Sequence, residues 1–186
     1  YTTQTECVLA AYFGLAEDPQ KAVAQLVSLI EQAGGKLQTG FVGTPYLLHV
    51  LSDYGNTDLA YDLLLKTDYP SWLYPVTKGA TTVWEHWDGI MENGDFWSPD
   101  MNSFNHYAYG SVVEYLYRDV AGLKALESGF KKALITPLMN GKLKYMHMTY
   151  DSAYGEYKVD WEILKNGKVT VDIQVPFGCS AVIGLP

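Results

Sequence analysis

Two stretches of this chain concentrate side chains that can do chemistry. Thr81-Thr82-Val83-Trp84-Glu85-His86-Trp87-Asp88 and Asp100-Met101-Asn102-Ser103-Phe104-Asn105-His106-Tyr107-Ala108-Tyr109-Gly110 bring carboxylates, imidazoles, amides and indoles into one region. Ionisable groups set among tryptophans have pKa values open to tuning by desolvation. A flat apolar ring beside hydrogen-bonding groups suits the face and hydroxyls of a pyranose. The region points to carbohydrate chemistry.

Several neighbouring features have plainer readings. Trp84, Trp87 and Trp97 are either core residues or sugar platforms, since aromatic residues at helical spacing more often fill a core; Trp84 and Trp87 are carried as candidate substrate contacts. Asp88, Glu92, Asp95 and Asp100 form an acidic loop without EF-hand spacing, which favours a solvated loop over a Ca²⁺ site. Thr39 to Pro45 is glycine-rich, but no Lys follows it and no strand pattern precedes it, so a phosphate cradle is rejected. It reads as a turn feeding a helix N-terminus. His49 and His147 lack partners at ligand spacing and are read as structural, and no metal or cofactor is expected. Cys7 and Cys179 lie at opposite ends of the chain and are read as buried free thiols.

A length of 186 residues suffices for one domain, or for one domain and a small second one. The net charge of -8 and a single arginine, Arg118, exclude nucleic acid, whose phosphates are bound by clustered Lys and Arg. An acidic surface also disfavours anionic membranes. No apolar run reaches the about 20 residues of a membrane helix. The start at Tyr1 resembles neither an initiator methionine nor a signal leader, so the chain is expected to be cut from a longer polypeptide.

The elements that must position these residues change character along the chain. Thr2 to Ala16 carries apolar residues at helical spacing and breaks at Asp18-Pro19, where Asp18 caps a second helix and Pro19 takes its first position. That helix buries Ala22, Val23, Leu26, Val27 and Ile30 and stops at Gly34-Gly35. Thr44-Pro45 opens a third helix in the same way, ending at Gly55. Thr57 caps a fourth, and Asn105 caps a fifth that runs through Val112, Val113, Leu116 and Val120 to Gly122. Short links imply antiparallel hairpins. Beyond about residue 137 the period becomes two: Tyr157, Val159, Trp161 and Ile163 face one way, and Asn166-Gly167 offers a type I′ hairpin turn into Val169 to Val175. With Leu143 to Thr149 and Ser180 to Leu185 as further strands, the tail reads as a small antiparallel β-sandwich. The expected organisation is therefore multi-domain, with helical hairpins over residues 1–128 and a β-sandwich over residues 129–186.

Three words carry a resemblance. Thr39-Gly40-Phe41-Val42-Gly43-Thr44-Pro45, Gly79-Ala80-Thr81-Thr82-Val83-Trp84-Glu85 and Met101-Asn102-Ser103-Phe104-Asn105-His106-Tyr107-Ala108-Tyr109-Gly110, in this order, resemble the C-terminal portion of the bacterial α-L-rhamnosidases, glycoside hydrolase family 78. The resemblance implies part of a six-hairpin α/α toroid followed by a β-sandwich, and removal of terminal rhamnose from an oligosaccharide or glycoside with inversion. It assigns the general base to Glu85 and a rhamnose contact to His106. The family's general acid lies upstream in an Asp-Glu-Arg word that this chain lacks, so the acid is expected outside the chain and the isolated chain is expected to be inactive.

An inverting glycosidase needs an acid on the leaving oxygen and a carboxylate that activates water on the opposite face. Glu85 must then stay ionised although Trp84 and Trp87 exclude water, which calls for donors around it. A neutral His106 offers one donor and one acceptor to sugar hydroxyls. Asn102 and Asn105 suit loop bracing, and Asn105 is also a candidate substrate contact. Two rival readings remain: an α/α-toroid polysaccharide lyase, disfavoured by the single arginine, and a non-catalytic carbohydrate-binding or structural module. Part of a toroid would leave an apolar inner face open, which predicts a homodimer across it.

Overall fold

The computed structural model describes residues 1–100 and 103–185. It divides into two compact units, Tyr1–Val112 and Val113–Pro186.

The first unit is built from α1 (Gln4–Tyr12), α2 (Pro19–Gln32), α3 (Thr44–Asp53), α4 (Thr57–Leu64) and a short α5 (Leu73–Thr77). α1 packs on α2 and on α3, and α3 on α4. Thr3 and Glu6 form a reciprocal capping box at the start of α1: the Thr3 hydroxyl accepts from Glu6 N, and the Glu6 carboxylate accepts from Thr3 N. Backbone donors of Thr2 and Thr3 hold the Glu6 carboxyl below its ordinary pKa. α1 ends at Tyr12, short of the expected Ala16, because Gly14 turns left-handed at φ 64 and lets Leu15 and Ala16 N–H bond back to Ala10 O. α2 follows expectation, with Asp18 accepting from Lys21 N and Pro19 at its first position.

Two expected caps are not caps. Thr44 and Thr57 are the first residues of their helices, with Gly43 and Asn56 in the cap positions. The Thr44 hydroxyl is used elsewhere: it donates to Thr39 O at 3.1 Å and shares a 2.8 Å bond with the Thr39 hydroxyl. Apolar faces made of Val8, Leu26, Ile30, Leu47, Leu51, Ala60 and Leu63 meet with 0–1% exposure, forming the core of this unit. Cys7, fully buried among them, has its thiol pKa pushed up by burial.

The predicted fifth helix is not one regular helix. A 3₁₀ turn over Ala108–Ser111 leads into α6 (Val112–Tyr115) and a π-helical turn over Leu116–Val120. Asn105 does not cap it, since Tyr107 precedes the 3₁₀ turn and makes no side-chain cap bond.

In the second unit β1 (Leu123–Ala125), β2 (Lys132–Ile135) and β6 (Ser180–Ile183) form one sheet in the order β1-β2-β6. A second sheet, β3-β4-β5, is built from β3 (Tyr145–Ser152), β4 (Gly155–Ile163) and β5 (Val169–Gln174). Every pairing is antiparallel except β2 with β6. The inward residues Tyr157, Val159 and Trp161 of β4 are 0–1% exposed, and Tyr157 and Val159 pack with Leu123, Ile135 and Met148. Trp161 satisfies its indole by donating from Nε1 to Val120 O at 2.9 Å. The Tyr157 hydroxyl donates to Phe130 O at 2.7 Å.

The β4-β5 hairpin departs from the expected two-residue turn. A type I′ turn needs positive φ at both central residues, and here Gly167 alone is left-handed, at φ 80, while Asn166 is not among the positive-φ residues. Gly167 N donates to Leu164 O and Leu164 N to Lys168 O, so the link is one residue longer. Cys179 is half-buried rather than buried, and both cysteines are free thiols. No described helix is long and apolar enough to cross a membrane.

Candidate functional site

The two chemistry-bearing stretches come together on irregular backbone of the first unit. Glu85 N donates to Ser103 O at 2.9 Å and His106 N donates to Val83 O at 2.8 Å. The Thr82 hydroxyl donates to Phe104 O. These bonds run in opposite senses between residues 82–85 and 103–106, as in a short antiparallel ladder. Residues far apart in sequence are thus held in register, and Glu85 and His106 lie on adjoining backbone. Both side chains are half-buried. Asn102 lies outside the described residues.

Around this ladder the aromatic side chains form a connected series. Trp72 meets Trp87 edge-on at 5.4 Å, and Trp87 stacks on Tyr109 at 3.7 Å. Tyr109 touches Phe41 at 5.0 Å, Phe41 stacks on His106 at 4.9 Å, and His106 stacks on Tyr107 at 5.2 Å. The Trp72 indole donates to Tyr109 O at 2.9 Å, which ties the series to the backbone. All three sequence words meet here, because Phe41 belongs to the first, Val83 of the second accepts from His106 N, and His106 and Tyr109 belong to the third.

The predicted tryptophans differ in surroundings. Trp84 is 5% exposed and meets Phe104 edge-on at 5.1 Å, and Trp87 is 9% exposed. Both line a concavity of about 270 Å³ together with Trp72, Pro75 and Val76. Trp97 is more open, and stacks on His86 at 3.6 Å. His106 lines a wider concavity of about 530 Å³ with Thr82, Val83, Asn105, Tyr107 and Gly110. Asn105 is exposed at its rim, and its backbone N–H is braced by the Ser103 hydroxyl at 3.3 Å.

The imidazole of His106 is oriented by its own turn, since Ala108 N donates to Nδ1 at 3.3 Å. In the neutral ring the proton must then sit on Nε2, making that nitrogen a donor. Burial, with Asp88 as a nearby negative charge, raises the Tyr69 and Tyr74 hydroxyl pKa values, and Glu92 adds to the second. Burial likewise raises Tyr109. These phenols stay protonated as hydrogen-bond donors, and Tyr74 donates to Ile90 O at 3.0 Å. Among the described residues no group of three or more His, Cys, Asp or Glu is placed to hold a metal ion.

The arrangement puts an oriented imidazole donor and an exposed amide on one concavity and Trp84 and Trp87 on a second, with Thr82 and Val83 common to both, and the Glu85 carboxylate on the same backbone segment. It can bind a small polyhydroxylated ring by hydrogen bonds and ring contacts, and can polarise a water at the carboxylate. Sequence reasoning did not single out Phe41 or Tyr109 as individual residues. Their role rests on contacts with residues distant in the chain, and the only signal available was their presence within the words.

Comparison with known proteins converges on one family. A family model for the bacterial alpha-L-rhamnosidase 6 hairpin glycosidase domain matches residues 1–120, and one for the bacterial alpha-L-rhamnosidase C-terminal domain matches residues 122–186. The chain is 42% identical over 186 residues to an alpha-L-rhamnosidase of Streptomyces avermitilis, covering 99% of this chain and 18% of that protein. It is 41% identical over 181 residues to one from an Alteromonas species, covering 96% and 20%. The crystal structure of the Streptomyces avermitilis alpha-L-rhamnosidase complexed with L-rhamnose superposes with a TM-score of 0.92, covering 97% of this chain and 18% of that one. The native Aspergillus terreus enzyme superposes with a TM-score of 0.93 at 38% identity, covering 99% and 22%. The chain thus spans about a fifth of the length of these relatives. Its helical unit and its two small sheets match the toroid and sandwich of the solved relatives, and the chain belongs to the bacterial α-L-rhamnosidases of glycoside hydrolase family 78.

Proposed function

We propose that the full-length polypeptide hydrolyses terminal α-L-rhamnosides with inversion, and that this chain contributes one wall of the site. Glu85 acts as general base, taking a proton from the water that attacks the anomeric carbon. His106 holds the sugar through Nε2–H, and Asn105, Trp84 and Trp87 complete the contacts. The general acid comes from the part of the polypeptide outside this chain, placed about 6.5–9.5 Å from Glu85 so that a water fits between. The observation that supports the reading is the pair of backbone bonds, Glu85 N to Ser103 O and His106 N to Val83 O, joining the two segments that carry Glu85 and His106 in a chain of this family. The relative complexed with L-rhamnose supports rhamnose as the bound sugar.

In the full-length enzyme, Glu85→Gln is expected to lower kcat on an aryl α-L-rhamnoside by about 10²–10⁴ while leaving the melting temperature unchanged. The product released by the wild type should be the inverted anomer by NMR, and residues 1–186 alone should give no turnover. Near-wild-type kcat in the variant would reject Glu85 as the base.

A further inference from the structure

The Thr39–Pro45 word has no catalytic group, yet it is built with unusual rigidity. Gly43 N and Thr44 N both donate to Gly40 O, at 3.2 and 3.0 Å, closing a tight turn around Phe41 and Val42. The Thr39 and Thr44 hydroxyls bond across its base at 2.8 Å. Gly43 is pressed so closely that a Cβ there would lie 3.0 Å from Thr5 Oγ1 and 3.2 Å from Thr39 Cβ. Just before the turn, the buried Gln4 side chain donates to Lys36 O and accepts from Gln38 N, at 3.0 and 2.7 Å. A turn fixed at so many points delivers one side chain, Phe41, against the imidazole of His106, with centroids 4.9 Å apart and planes inclined by 13°.

His106 is thereby constrained in three ways. Phe41 and Tyr107 both lie nearly parallel to it, and Nδ1 is occupied by the Ala108 N–H. With Phe41 and Tyr107 lying nearly parallel to the ring and Nδ1 accepting from Ala108, the polar group left for a ligand is Nε2–H. We infer that Phe41 is a positioning residue that holds His106 edge-on, so that the site selects ligands offering an acceptor oxygen, such as a sugar hydroxyl, to Nε2–H. The inference rests on the reading of His106 as a sugar contact.

The test is a double-mutant cycle in the full-length enzyme on an aryl α-L-rhamnoside. Phe41→Leu keeps an apolar side chain but loses the flat stack, and is expected to raise KM by about three- to tenfold with kcat changed less than about twofold. Phe41→Tyr, which keeps the ring, restores KM to within about twofold. In the His106→Ala background Phe41→Leu has no further effect, because the group it positions is gone. An equal KM rise in both backgrounds, or an unchanged KM in Phe41→Leu, overturns the positioning role while leaving His106 as a contact. A wild-type KM in His106→Ala overturns the contact itself and the inference with it. Should Phe41→Leu fail to fold, Phe41→Met gives the same readings.

Discussion

Replacing Gly122 with alanine is expected to unfold most of the second unit, and the structure supplies the size of the effect. Gly122 sits at φ 83, where an L side chain costs about 1–2 kcal/mol. Its Cβ would lie 2.3 Å from Thr136 C, 2.4 Å from Pro137 N and 2.5 Å from Thr136 O, all backbone atoms. No rotamer relieves such a contact, so the chain at Thr136 must retreat by about an ångström to reach normal van der Waals distance. That movement breaks the 3.0 Å bond from Thr136 N to Gly122 O and disturbs the pairing of Leu123 with Ile135, which is fully buried. A lost hydrogen bond and a displaced core residue together bring the cost to about 3–5 kcal/mol. This is comparable with the whole stability of a small domain. Gly167→Ala is the control in the same unit: its φ of 80 is equally left-handed, but nothing lies within 4 Å of its Cβ. It should cost about 1–2 kcal/mol. Urea titrations followed by ¹⁹F NMR of 5-fluorotryptophan-labelled protein report the second unit selectively, because Trp161 is its one tryptophan. Equal midpoints for the two variants would refute the steric argument and leave only the backbone term.

Trp161→Phe should destabilise the same unit by about 2–3 kcal/mol, because it empties indole volume from a position 1% exposed and strands the buried Val120 carbonyl; ¹⁹F labelling cannot follow this variant, so hydrogen exchange at β4 amides serves instead, and unchanged protection would contradict the prediction. Burial alone would raise the Asp160 carboxyl, but hydrogen bonds and charge from Lys158, at 2.8 Å, and from His147 outweigh it and hold the pKa below its ordinary value. A depressed folded pKa contributes stability that is present above the unfolded value of about 3.9 and lost as pH falls through the folded one. The stability gap between wild type and Asp160→Asn should therefore be about 0.5–1 kcal/mol at pH 7 and close below about pH 4, as read from urea midpoints across that range; a gap independent of pH would refute the linkage.

What was legible in the sequence was mostly what is local. Asp18-Pro19 carries its own cap and its own first-turn residue, so the start of α2 follows without tertiary information. The alternation of β4 identifies its buried face correctly for the same reason, since Tyr157, Val159 and Trp161 all point inward. Errors arose where a local signal competed with a contact. Thr44 looks like a cap until its hydroxyl is claimed by Thr39, and Asn166-Gly167 looks like a type I′ turn until Asn166 keeps negative φ. The apolar spacing from residue 105 to 122 suggests one helix, yet spacing cannot distinguish α from a 3₁₀ entry or a π exit. Leu123–Ala125 and Lys132–Ile135 are too short to establish any period, so β1 and β2 leave no signal in the sequence.

The candidate site divides along the same line. Glu85 and His106 are identifiable by residue type within distinctive words, but the means of holding them are not, because neither lies on a helix or strand. Irregular backbone at a ligand site is ordinarily the mobile part of a fold. Here the N–H of Glu85 and the N–H of His106 each donate to the facing segment, while buried Trp87 and Tyr109 stack on each other and Phe41 links Tyr109 to His106. Backbone pairing fixes where the two side chains start, and stacking on Phe41 and Tyr107 fixes how the His106 ring lies. On the proposed reading, a substitution that spares both candidate groups but removes a stacking ring should weaken sugar binding without unfolding the unit. Phe41 is the residue at which that separation is cleanest, since it is partly exposed and its ring lies against the imidazole rather than within the helical core.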